Sequence, residues 1–204
     1  VKKIWKGSTL SSRPSLTEGL TITVIGKTAS GEKKVEKTYT GQAISWKEDA
    51  SGKVWNAVIS GLPIQVDGQE LTYSITETSP TGYRQQGEIV KSEDSDNGLT
   101  QFTITNTQTK QISGLKVWND GKETHDNPKL ILQKLINGKW ADVNLQEEGI
   151  TLKWEEATLG DVGLTTGNDG IKHVQKYTFE NLAADYIYKV DEATLNGYKS
   201  EEDG

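Results

Sequence analysis

The chain has no cysteine, no methionine, four prolines and two phenylalanines among its 204 residues. No apolar run approaches the roughly 18 residues that a membrane-spanning helix needs. Without cysteine there are no disulfides, no thiolate-held zinc or iron and no thiol nucleophile. Without methionine even an initiator is missing, which leads us to expect a piece of a longer protein. Neither a secretory-signal pattern nor a sustained heptad repeat occurs in these residues. Lys and Arg number 23 against 29 Asp and Glu, and the resulting net charge of −6 argues against a nucleic-acid or anionic-membrane surface. No phosphate-cradling glycine loop or hydrolase motif stands out, so no cofactor is expected.

What is present is a pattern of short alternating segments, such as Leu20-Thr21-Ile22-Thr23-Val24, Leu71-Thr72-Tyr73-Ser74-Ile75 and Phe102-Thr103-Ile104. They are rich in residues suited to a pleated, half-buried surface. Turn clusters separate them: Ala29-Ser30-Gly31-Glu32, Ser51-Gly52, Asp67-Gly68, Asp96-Asn97-Gly98, Asn137-Gly138 and Asn168-Asp169-Gly170. No segment reads as a long helix. The pattern predicts an all-β chain, most simply built as sandwiches, and the length suits two small domains.

The halves repeat one another. Lys3-Ile4-Trp5 returns as Lys116-Val117-Trp118, and Tyr73-Ser74-Ile75-Thr76-Glu77 returns as Tyr188-Lys189-Val190-Asp191-Glu192. Glu77 is followed by Thr81-Gly82-Tyr83 and Glu192 by Asn196-Gly197-Tyr198, so Gly-Tyr keeps its offset from the acid. The expected domains are 1–109 and 110–204. Residues 1–109 hold 12 basic and 12 acidic side chains, and the remainder 11 and 17, so the acidity belongs to the second half. A solvated acidic face explains that imbalance better than a specific cation or basic partner does.

Side chains alternate across a strand, which puts Leu71, Tyr73, Ile75 and Glu77 on one face. Tyr186, Tyr188, Val190 and Glu192 align likewise. Lys3 shares a face with Val1 and Trp5, Lys116 with Ile112 and Trp118, and Phe102, Ile104 and Asn106 make an apolar row ending in an amide. A Lys, a Glu and an Asn separately buried would each be costly, so they are expected to meet. The plain outcome is a buried Lys–Glu ion pair completed by the Asn. Burial also favours a neutral amine and a protonated acid. The amine could then attack the Asn carbonyl carbon while the acid hydrogen-bonds the carbonyl oxygen and relays a proton to departing ammonia. The product would be a Lys–Asn isopeptide bond.

The Lys-hydrophobic-Trp opening strand, the Tyr-x-hydrophobic-x-Glu strand with its Gly-Tyr, and the closing Phe102-Thr103-Ile104-Thr105-Asn106-Thr107 together resemble the B-type repeats of the collagen-adhesin (Cna) family found in Gram-positive surface adhesins and pilins. The resemblance implies two tandem Ig-like sandwiches. It implies Lys3 as nucleophile, Asn106 as electrophile and Glu77 as catalytic acid/base. Lys2 is the rival nucleophile, but it points to the other face and Leu115 stands at the matching place. In the second domain Lys116 and Glu192 fit the motif without a visible acyl partner. The Glu77-to-Asn106 interval puts that partner near position 221, and Asn196 lies in the turn just after the acid. The second domain is therefore expected to lack its closing strand.

By the same resemblance the chain is a stalk or spacer region at the bacterial cell surface, anchored to the cell wall through a region outside these residues. It would neighbour other domains of the same surface protein, with any host extracellular-matrix protein bound through other domains. The proposed reaction is a single self-modification, not enzymatic turnover. The alternative is an adhesin module that grips a host protein or glycan through loops or exposed tryptophan.

Weaker signals point elsewhere. Glu93-Asp94-Ser95-Asp96-Asn97-Gly98 lacks the spacing and distal Glu of a calcium loop and reads as an acidic hairpin loop, so no metal site is expected. His125 and His173 are isolated and read as ordinary surface residues. Trp5 and Trp118 are expected in the core beside the lysines, and Trp46, Trp55, Trp140 and Trp154 are placed there with less support.

Overall fold

A computed structural model describes residues 1–7, 13–16, 20–94, 99–163 and 170–199. The turn residues Asp96-Asn97-Gly98 and Asn168-Asp169, and most of the suspected acidic loop, lie outside them. The chain divides into two compact units, Val1–Thr109 and Lys110–Gly204. The described residues are β-strand and loop, with helical turns only at Gly41–Ala43 and Leu159–Val162.

In the first unit the strands are β1 (Lys2–Lys6), β2 (Thr21–Lys27), β3 (Lys33–Thr40), β4 (Lys47–Glu48), β5 (Val54–Asn56), β6 (Gln65–Val66), β7 (Gln69–Glu70), β8 (Thr72–Thr78), β9 (Tyr83–Gln85) and β10 (Val90–Asp94). The 99–109 part of β11 (Leu99–Asn119) completes it. One sheet runs β11-β1-β5-β4, with β9 and β10 also on β11, and the other runs β3-β2-β8. Alternation drives this arrangement: β2 buries every second residue, so Ile22 and Val24 face the core between Thr and Ile neighbours that are only partly covered. They meet Ile75 from β8 and Trp5, Trp55, Phe102 and Ile104 from the opposite sheet, which makes the unit a sandwich with one core. The Asp67-Gly68 turn joins β6 to β7 with φ of 51° and 75°, the left-handed pair that a two-residue hairpin needs.

β1 and β11 are parallel, with Lys3 opposite Ile104 and Trp5 opposite Asn106. The first and last strands of the unit are therefore hydrogen-bonded neighbours. Glu77 lies on the facing sheet, across from Ile22 in the β8–β2 ladder.

The second unit has β12 (Leu130–Ile136), β13 (Lys139–Asp142), β14 (Thr151–Ala157), β15 (Ile171–Ala183) and β16 (Tyr188–Glu192), with the 110–119 part of β11 as its opening strand. Its sheets run β14-β15-β11 and β13-β12-β16. The core joins Leu132, Ile150, Phe179 and Leu182, flanked by Ile112, Tyr177, Tyr188 and Val190. Among the described residues no strand pairs with the other edge of 110–119; in the first unit the corresponding edge of β1 is held by the closing strand.

Trp5, Trp46, Trp55 and Trp118 are buried, whereas Trp154 is half-buried. Trp140 departs from the core placement expected of it. It stands 42% exposed on β13, the outer strand of a hairpin closed by Asn137-Gly138, with Lys189 Nζ 5.4 Å from its ring centre.

Candidate functional site

Three polar side chains meet inside the apolar core of the first sandwich. Lys3 comes from β1, Asn106 from the neighbouring strand two register positions along, and Glu77 from the opposite sheet. Because Lys3 pairs with Ile104, Lys3 and Asn106 are diagonal neighbours on the same inner face. Lys3 Nζ donates to Glu77 Oε1, and Asn106 Nδ2 donates to Glu77 Oε2 at 2.8 Å. One carboxyl group therefore holds the amine on one oxygen and the amide nitrogen on the other. The side chains of Lys3 and Glu77 have 0% exposure, and Asn106 is equally closed to water.

The surroundings are apolar and aromatic. Lys3 Nζ lies 4.9 Å from the Trp5 ring centre, and Trp5 meets Trp55 and Tyr83 edge-on. Desolvation in this box pulls the Lys3 amine down to about 8, against the opposing charge and hydrogen bond of Glu77. Near neutrality an appreciable share of the amine is thus free of its extra proton, as a nucleophile requires.

The resting contact differs from the one expected of the protonated acid during reaction, which is on the amide oxygen: here Glu77 accepts from the amide nitrogen, and the buried Oδ1 has no hydrogen-bond partner. A carboxylate can only accept, so it takes the N–H; it can donate to Oδ1 only after receiving a proton. Lys2, the rival nucleophile, lies on the opposite face of β1 from fully buried Lys3 and is only half-buried.

The second unit brings Lys116 and Glu192 together at 2.8 Å, with Lys116 Nζ 4.6 Å from the Trp118 ring centre. This pair is open where the first is closed: its side chains are 17% and 21% exposed. It has no asparagine beside it among the described residues, and Asn196 stands in the loop after β16. The two histidines do not sit on the surface as expected. They are buried against each other in the second unit, 48 residues apart in sequence, and no spacing rule pointed to that pairing.

The depressed Lys3 value has a measurable consequence in an Asn106→Ala chain, where Lys3 stays a free amine. Unfolding returns the amine to its ordinary value of 10.5, so between pH 8 and 10.5 the unfolded chain holds a proton that the folded chain has lost. Stability should therefore rise with pH across that window relative to a Lys3→Met, Asn106→Ala chain. Denaturant unfolding of the two chains at several pH values measures the difference, and parallel curves would mean that Lys3 is not buried as described.

Residues 1–107 match the family model of the Cna protein B-type domain. No curated protein and no solved structure matches the chain.

Proposed function

Because the chain belongs to the family of the Cna protein B-type domain, an adhesin-type module of extracellular surface proteins, we propose that it is a stalk segment of a Gram-positive surface adhesin or pilin, braced by an isopeptide bond that it makes itself. The observation that carries this reading is the shared carboxyl of Glu77, with the Lys3 amine on one oxygen and the Asn106 amide nitrogen on the other, out of reach of water. Neutral Lys3 Nζ attacks Asn106 Cγ. Glu77 receives a proton from the amine side and delivers one to Nδ2; the Cγ–Nδ2 bond breaks and ammonia leaves. Water is excluded, so hydrolysis of the amide does not compete. The product joins two adjacent strands at the two ends of one domain.

Glu77→Gln keeps the size of the side chain but cannot carry the proton. General acid–base assistance is typically worth about 10²- to 10⁴-fold, so cross-linking should slow by at least about a hundredfold, followed by intact mass after refolding. Cross-linking at the unchanged rate would remove Glu77 from the mechanism.

Lys116 and Glu192 support a second reaction of the same kind on an asparagine supplied from outside the described residues. A peptide carrying Phe-Thr-Ile-Thr-Asn, the 102–106 sequence, is expected to pair with the open edge of residues 110–119 and to attach to Lys116 with loss of ammonia. Attachment to any other lysine, or none after prolonged incubation, would count against that role. The alternative reading, a module that grips a host protein or glycan, draws support from one exposed group: Trp140, with Ile136 and Ile187 also uncovered in the second unit. Binding that is abolished by Trp140→Ala would favour it.

A further inference from the structure

The only two histidines in the chain meet edge to edge inside the second unit. Their Nδ1 atoms are 2.8 Å apart, and their ring centres are 5.1 Å apart with planes 9° from parallel. The centre separation equals the N···N distance plus the two ring radii, so the rings lie nearly in one plane and the lone pair of one Nδ1 points at the other. Only one proton fits between them. His125 lies in the segment after β11 and His173 on β15, and both side chains are about 95% covered.

The outer nitrogens fix where the protons are. His125 Nε2 lies 3.0 Å from Asp120 Oδ1. Asp120 is held well below the usual carboxylate range, first by the Tyr198 hydroxyl, then by the Lys122 backbone N–H, His125 and the Lys122 ammonium, with desolvation opposing them. Asp120 is thus a committed acceptor and His125 Nε2 must donate to it. His125 Nδ1 is then bare in the neutral ring, and His173 Nδ1 must supply the shared proton. On its far side His173 Nε2 lies 3.0 Å from Glu156 Oε2, a contact that also calls for a donor. The complete chain of bonds from Asp120 to Glu156 therefore needs three N–H groups on two imidazoles, which is one positive charge.

We propose that His125 and His173 form a one-proton latch that fastens the 120–127 segment to β14 and β15, and that a second proton springs it and loosens the second unit in acid. A fourth N–H would put two hydrogens into the 2.8 Å gap between the Nδ1 atoms, and neither buried ring can turn its proton toward water. Loss of the first proton is milder, because Glu156 is 77% exposed and can swing away from a bare His173 Nε2. The charged groups facing the pair are Asp120 and Lys122 from the loop, Glu156 from β14 and, beyond the ring of Trp118, Lys116 from β11. Tyr198 binds Asp120, and Trp118 stacks on His125 at 4.1 Å with planes 1° apart. A second tie, Gln175 Nε2 to Asn127 Oδ1 at 2.8 Å, does not titrate and stays closed in acid. The inference uses only the second unit's own geometry and is independent of the isopeptide reading.

The test is denaturant unfolding of the full chain at pH 5 to 8, with the Trp118 and Trp154 indole NMR signals reporting on the second unit and those of Trp5, Trp46 and Trp55 on the first. Free histidines take up protons near pH 6.5. Below that value the unfolded chain gains a second imidazole proton that the folded latch refuses, so the unfolding constant of the second unit should approach about a tenfold rise per pH unit. His173→Gln should abolish the excess, because a glutamine amide can offer N–H to a neutral His125 Nδ1 or its carbonyl to a protonated one. An equal acid loss in wild type and variant would overturn the latch. Should the variant not fold at pH 7, the imidazole nitrogen signals of the wild type decide: one bare and one protonated Nδ1 throughout the folded population supports the latch, and a folded chain with both protonated at pH 5 refutes it.

Discussion

An Asn106→Ala chain is expected to lose on the order of 4.7 kcal/mol of stability in residues 1–109, which for a domain of this size is close to its whole margin. A bond from Lys3 to Asn106 closes a loop of about 100 residues, and that figure is the chain-entropy contribution of a cross-link spanning so many. Asn106→Ala is the informative substitution because it leaves the Lys3–Glu77 ion pair in place. Lys3→Ala strands Glu77 as an unpaired buried acid, and loss of one partner of a buried pair costs about 3–5 kcal/mol by itself. Asn106→Ala should therefore melt well below the wild type, and Glu77→Gln, which also leaves the buried Lys3 without its carboxylate, lower still, with new protease cuts in both confined to residues 1–109. A wild type no more stable than Asn106→Ala would mean that the bond is absent or bears no load.

The second large effect is mechanical. β1 and β11 are parallel, so force applied through the ends of the first unit pulls the two strands past each other in shear. In the bond-less chain, rupture of that pair releases residues 4–105, a hidden length of roughly 340 Å at about 3.4 Å per extended residue. With the Lys3–Asn106 bond in place the force passes from one strand to the next through a covalent link and bypasses every hydrogen bond of the sheet. Single-molecule stretching should show no release from the wild-type first unit and a release of the full length from Asn106→Ala. Release from both would refute the force-bearing role even if the bond exists.

Much of this was legible because it depends on period-two alternation. The row Leu71, Tyr73, Ile75, Glu77 can bury its apolar members only by burying the acid at its end, and Lys3 beside Trp5 is committed the same way. Duplication strengthened the inference, since Lys116 and Glu192 occupy matching places and meet in the second unit. Two features were not legible. Whether Glu77 takes the nitrogen or the oxygen of Asn106 depends on where a proton sits, which no residue pattern encodes. The pairing of His125 with His173 joins a loop to a strand 48 residues later; His125 stands between Thr124 and Asp126, which read as surface, and His173 between Lys172 and Val174 carries no sign of a partner so far away in sequence. Trp140 misled for the opposite reason: its size suggested core, but an outer hairpin strand leaves one face uncovered.

The central claim is tested most directly by the intact mass of the purified, denatured chain. Formation of one Lys–Asn isopeptide bond makes the protein lighter than its sequence by one ammonia, and digestion should yield a branched peptide joining Lys3 to Asn106. A chain at the full sequence mass, or a branched peptide that joins any other pair, would contradict the account.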